Sequence, residues 1–155
     1  KERAELTMIV DLVRNDLGRI ATPGSVVAHP RTIRQCGDLW HAEQLVEARV
    51  VDSLDAVDVV SSSFPPGSVT GAPKVRAMQV IAELEDGPRG VYTGAIGWFA
   101  NNGGAHLNVA IRTATVQNGQ ASFHVGAGIV ADSDPQAEWD ETLAKARALK
   151  EALHP

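Results

Sequence analysis

An α+β fold, with an antiparallel sheet and flanking helices, follows from three features of this 155-residue chain. Helical periodicity opens and closes it, and β-type segments occupy the middle. The two tightest loop signals, NNGG and NG, join neighbouring strands as hairpins.

Leu6, Ile9, Val10 and Val13 recur at i, i+3, i+4 and i+7, one face of a helix. That helix should end near Asn15–Gly18, with ATPGS as the following turn. From Ser25 to Val51 the pattern predicts short strands around SVVAH, TIRQC and LVEARV. DSLDAVDVVSSSF restores a helical period, with Asp52 or Ser53 as N-cap and Ser61–Ser63 at its end. The loop PGSVTGAPK, residues 66–74, then enters a helix with Pro73 in its first turn. Ala77, Val80, Ile81 and Leu84 form its buried stripe, and EDGPRG stops it. Three strands, VYTGAIGWF, AHLNVAIRTATV and QASFHVGAGIVA, make an antiparallel meander. The last helix runs from about Pro135 to Leu153, with Trp139, Leu143, Ala146, Leu149 and Leu153 inward.

Composition narrows the function classes. Hydrophobic residues make up 44% and aromatics only 5%, so aliphatic packing must supply the core. With 14 Lys+Arg against 19 Asp+Glu the formal charge is −5, and the basic residues are scattered, which argues against nucleic acid as a partner. An anionic substrate would need a local cation or a metal. Cys36 is the sole cysteine, so no internal disulfide forms and a reducing, cytosolic setting is expected. No apolar run is long enough for a membrane span. The opening KERAELT, without methionine and already helical in pattern, reads as part of something longer.

The 66–74 loop invites a nucleotide reading and fails it. A Walker-type loop places lysine directly after glycine and a hydroxyl after the lysine. Here the spacing is G-x-x-x-G-x-x-K, followed by Val75. What remains is a glycine-rich turn at a helix N-terminus, a general anion site, or a loop that only caps the helix with Lys74 solvated.

Acidic residues carry more. Glu2 and Glu5 fall on the same side of the first helix as Leu6, Ile9 and Val13, where a carboxylate is costly unless paired or metal-bound. Glu138, Glu141 and Lys145 form a similar ridge on the last helix. Two such ridges, meeting across a cleft, would suit one hard cation such as Mg2+. The plainer alternative is two surface ion pairs, Lys1–Glu5 and Glu141–Lys145. Arg112 sits among residues expected to be half-buried, where a guanidinium needs a carboxylate or phosphate partner. Tyr92 lies at the start of the neighbouring strand, and VGAGIV brings backbone close to any ligand there. His41 follows Trp40 as a lone histidine; His29, His106, His124 and His154 show no metal-ligand spacing.

RAELTMIVDLVRNDLGRI, FPPGSVTGAPKVRAM, RGVYTGAIGWF, VAIRTAT and GAGIVADSDPQAEWDETLAKA together resemble the C-terminal part of the chorismate-utilising enzymes, over essentially the whole chain. GSVTGAPK and LNVAIRT look most like the branch of aminodeoxychorismate synthase component I, with that of anthranilate synthase component I as the alternative. The resemblance implies that residues 1–155 are the C-terminal portion of a chorismate-binding catalytic domain, its N-terminal portion lying elsewhere. It implies Mg2+ held by Glu5 and Glu141, with Glu2 and Glu138 as supporting carboxylates. Tyr92 and Arg112 match the residues that hold the enolpyruvyl carboxylate, helped by backbone at Gly126, Ala127 and Gly128. Ser68 matches the loop hydroxyl facing the substrate, Lys145 the lysine of the last helix, and His41 the active-site histidine.

By the same resemblance the product is 4-amino-4-deoxychorismate, for p-aminobenzoate and folate synthesis, with ammonia from a glutamine amidotransferase subunit. In that branch a lysine upstream of the first acidic helix attacks carbon 2 of the ring before ammonia displaces it. The present residues begin after that position, and the branches that add water or ammonia directly have alanine there. After its histidine the family has LVS-like residues where this chain has Ala42, Glu43 and Gln44. A third reading is a non-catalytic fragment whose unpaired apolar edges drive self-association.

Overall fold

A computed structural model describes residues 2–36 and 39–153, without the side chains of residues 2, 3, 36 and 39. In chain order it contains α1 (Glu2–Gly18), β1 (Val27–Ala28), β2 (Thr32–Cys36), β3 (Leu39–Glu43), β4 (Val46–Glu47) and α2 (Ala56–Ser63). A 3-10 turn (Gly67–Val69) precedes α3 (Lys74–Leu84), β5 (Ala95–Phe99), β6 (Ala105–Val109), β7 (Ala114–Gln117), β8 (Gln120–Phe123) and α4 (Pro135–Leu153). The chain divides into two compact units, Lys1–Glu85 with Phe99–Ala105, and Asp86–Trp98 with His106–Pro155.

In the first unit α1 buries Val10 and half-buries Leu6, Ile9 and Val13, the face its periodicity predicts. After α1 the backbone forms one nested antiparallel ribbon. Ala21 bridges Val50, β1 pairs β4 with Val27 opposite Glu47, and β2 pairs β3 from Thr32 opposite Glu43 to Cys36 opposite Leu39. The register slips by one residue between the two ladders, as a bulge requires. Glu43 and Gln44, following His41, serve the ribbon. Gln44 Nε2 donates to the His29 carbonyl at 2.9 Å, and Arg34 reaches Glu43 at 2.9 Å. β3 is a strand that the sequence pattern does not predict.

α2 begins later than expected. Its cap is Asp55, not Asp52 or Ser53, and Asp55 forms a reciprocal capping box with Asp58. Asp55 accepts from the amides of Val57 and Asp58, and Asp58 accepts from the amide of Asp55. Pro73 is the residue before α3 rather than its first residue. Ala77, Val80 and Ile81 are half-buried as predicted, but Leu84 at the end of α3 is 77% exposed.

The expected three-stranded meander is two separate hairpins among the described residues. β7 and β8 join through Asn118 (φ 52°) and Gly119 (φ 75°), the left-handed pair that the NG signal predicts. β5 and β6 pair, and at Gly97 any Cβ would collide with the His106 backbone. The segment AHLNVAIRTATV does not run as one strand, because the chain kinks at residues 110–113. α4 matches its predicted span, and Ala146, Leu149 and Leu153 face inward as expected, joined by Glu138, Thr142 and Lys145. Trp139 (58% exposed) and Leu143 (44%) point outward, against the sequence expectation. No helix among the described residues is long and apolar enough to cross a membrane.

Candidate functional site

In the second unit, the base of the β5–β6 hairpin sets out the first two candidates. The Thr93 amide donates to the Ala110 carbonyl and the Ala110 amide donates to the Gly94 carbonyl, both at 2.9 Å. Tyr92 stands next to this double bond on one arm, and Arg112 lies two residues beyond it on the other. Thr93 (φ 63°) and Arg112 (φ 51°) both occupy the left-handed region, where side chains with a Cβ are strained. Arg112 is exposed rather than half-buried, because the kink ends β6 before it is reached. Among the described residues nothing pairs with its guanidinium, which leaves its five donors available to an anion.

Two side chains contact the Tyr92 ring. Its ring stacks on His124 with centroids 5.6 Å apart and planes at 25°. The Arg89 guanidinium carbon lies 5.9 Å from the ring centroid. The phenolic oxygen approaches Gly126 so closely that a Cβ there would meet it at 2.9 Å. Glycine at 126 is therefore a requirement of the Tyr92 position.

From Gly126 the chain of contacts continues to α4. Lys145 Nζ donates to the Gly126 carbonyl at 3.1 Å and contacts Glu141 Oε1 at 2.6 Å. One turn earlier Glu138 is buried, and its Oε1 accepts from the Ser133 hydroxyl at 2.6 Å. The structure thus brings Tyr92, Gly126, Lys145 and Glu141 together, with Ala127 and Gly128 continuing the same backbone. The expected Glu141–Lys145 surface pair is present, and its lysine also reaches back to the glycine segment.

The first unit carries the other candidates. Glu5 is half-buried on α1, the Glu2 carboxylate lies outside the described side chains, and Lys1 lies outside the described residues. His41 is half-buried on β3, opposite Arg34. Ser68 is exposed in the 3-10 turn. That turn lies against α1, since a Cβ on Gly67 would meet the Leu12 side chain at 2.9 Å. An open groove of about 830 Å3 follows α1 along Ala4, Met8, Leu12 and Asn15, with Ala72 at its edge. Lys74 is not solvated: its Nζ lies 2.5 Å from Asp16 Oδ2 and 3.3 Å from the Ser63 carbonyl. Among the described residues no three His, Cys, Asp or Glu side chains are grouped to hold a metal ion.

Sequence reasoning missed Arg89, His124 and Ser133. RGVYTG shows Arg89 three residues before Tyr92, and HVG shows His124 two before Gly126, so both were readable as neighbours of predicted residues. Ser133 Oγ caps the segment before α4, accepting from the Val130 amide at 3.0 Å while it donates to Glu138.

A family profile described as chorismate binding enzyme matches residues 1–151. The chain is 47% identical over 154 residues to anthranilate synthase component 1 of Streptomyces coelicolor, covering 99% of this chain and 30% of the relative. It is also 47% identical over 154 residues to aminodeoxychorismate synthase component 1 of Bacillus subtilis, covering 99% and 33%. The crystal structure of anthranilate synthase component I from Streptococcus pneumoniae matches with a TM-score of 0.89 and 44% identity, over 95% of this chain and 34% of that one. The chain belongs to the chorismate-binding enzyme family, as its motifs indicate, and it has that family's fold. It spans about a third of the length of the curated relatives it matches.

Proposed function

We propose that this chain supplies the chorismate-holding part of an aminodeoxychorismate synthase component I. The reaction exchanges the ring 4-hydroxyl of chorismate for an amine from ammonia, with water as the other product. The observation that carries the reading is the contact chain from Tyr92 through Gly126 and Lys145 to Glu141. It puts a phenol, a backbone segment, an ammonium and a carboxylate on one small surface, beside a hairpin base that exposes Arg112. A dicarboxylate needs such donors to approach a chain of charge −5.

In this reading Arg112 takes the enolpyruvyl carboxylate as a bidentate partner and Tyr92 donates a hydrogen bond to it. Lys145 orients the Gly126–Gly128 backbone and holds Glu141 in place. Ser68 faces the ring, and His41 is the proton donor to the departing oxygen. The donor chemistry of α1 and α4 fits Mg2+, which takes oxygen ligands and is commonly held by one or two carboxylates plus substrate. Glu141 and Glu5 are the residues assigned to it, with Glu138 and Glu2 in support. When bound, the ion neutralises the ring carboxylate and polarises the ring toward loss of the hydroxyl. A cytosolic setting and an amidotransferase subunit as ammonia source belong to the same proposal.

Anthranilate synthase component I is the second reading, supported by an equal 47% identity to relatives bearing that name. The test uses this chain and a longer one extended upstream, each given chorismate, Mg2+ and an ammonium salt, with products separated and identified. The longer chain is expected to yield 4-amino-4-deoxychorismate. Anthranilate would establish the second reading, and no product from the longer chain would end both.

A further inference from the structure

Lys74 and Asp16 stand 58 residues apart in sequence and are joined side chain to side chain, only 17% and 12% exposed. Each sits at the end of its helix where its charge is unfavourable. Asp16 lies in the last turn of α1, where carbonyls already concentrate negative potential, and that turn holds no basic residue. Lys74 is the first residue of α3, among free amides, and that turn holds no acidic residue. Neither helix gains from its own charge, so what the pair does lies in the segment between. Lys74 closes the loop that begins at Gly67, and Gly67 itself packs on Leu12, one helical turn before Asp16. Both ends of the loop are thereby fixed to one face of α1: the first by close backbone approach, the second by the ion pair.

We infer that Lys74 and Asp16 are positioning residues, a latch that holds the Gly67–Pro73 loop against α1 and so sets the place of Ser68. The inference rests on the chorismate reading only for what Ser68 then faces. The latch is testable without substrate, through the amides of Val69, Thr70 and Gly71, which donate to the carbonyls of Pro66 and Gly67.

Hydrogen exchange would be followed in the unmodified chain, in Lys74→Met, in Asp16→Asn and in the double variant Asp16→Lys/Lys74→Asp. The double variant restores the pair with both charges at the favourable helix ends. Each single variant is expected to speed exchange of the three loop amides at least 10-fold while the slow amides of Val10 and Val13 are unchanged. The reversed pair should return the loop to within about 3-fold of the unmodified chain. Unchanged loop amides, equal acceleration in the loop and α1, or a reversed pair that fails to restore protection would each overturn the latch. If no form of the chain responds to chorismate, the functional reading falls while the exchange result still decides the latch.

Discussion

Tyr92 and His124 stack at 5.6 Å, and the phenol they hold leaves no room for a side chain at Gly126. The substitution Gly126→Ala therefore separates packing from binding. Only the far end of one side chain must yield, so the stability cost should stay near 1 kcal/mol. The Tyr92 hydroxyl, however, is pushed off its position, and the chorismate KM should rise about 10- to 100-fold, as loss of one hydrogen bond to a carboxylate predicts. A denaturation curve and a KM on the same sample check both. A normal KM would remove Tyr92 from the substrate site.

Arg112 offers a trade with opposite signs. At φ 51° an arginine is strained and a glycine is not. Arg112→Gly should leave the unfolding midpoint unchanged or raise stability by about 1 kcal/mol. Chorismate affinity should fall by about 100-fold, because a charged bidentate partner is lost. If binding survives, the kink at residues 110–113 has some role other than presenting this guanidinium.

Glu141→Ala tests the metal assignment directly. Glu141 is solvent-exposed and its partner Lys145 is only half-buried, so the fold should survive with a cost below about 1 kcal/mol. Calorimetric titration is expected to show loss of Mg2+ binding and, with it, of Mg2+-dependent chorismate binding. Normal titrations with both would show that the ion is held elsewhere.

β5 is exposed along its whole length, and Ile96, Trp98 and Phe99 are each more than half exposed. Apolar surface of this kind favours association. Sedimentation should show concentration-dependent oligomers, and Trp98→Glu should shift them toward monomer at least 10-fold in dissociation constant. A chain that stays monomeric at all concentrations would dispose of the self-association reading.

Local signals were readable and distant ones were not. The NG turn, the span of α4 and the apolar face of α1 each depend on residues within a few positions of one another. The inward face of α4 was read correctly at Ala146, Leu149 and Leu153 and wrongly at Trp139 and Leu143, which face out while Glu138, Thr142 and Lys145 face in. Hydrophobicity alone misplaces the first half of the stripe, where polar side chains with hydrogen-bond partners take the inward positions. Likewise, Arg112 was placed in a strand because its neighbours alternate, and the kink that exposes it has no glycine or proline to announce it. The Tyr92–Gly126 contact spans two hairpins, and no spacing rule reaches that far.

The nested ribbon between Ile20 and Val51 also bears on how the first unit forms. Starting at Cys36–Leu39, each rung closes only a slightly larger loop than the rung inside it, so the ribbon can zip outward at little entropic cost. The demanding closure is the one between Asp16 and Lys74. Once Ala21 has met Val50, roughly half of that span is bypassed, which lowers its closure entropy by about 0.6 kcal/mol. Loop entropy thus favours closing the ribbon before α1 is joined to α3.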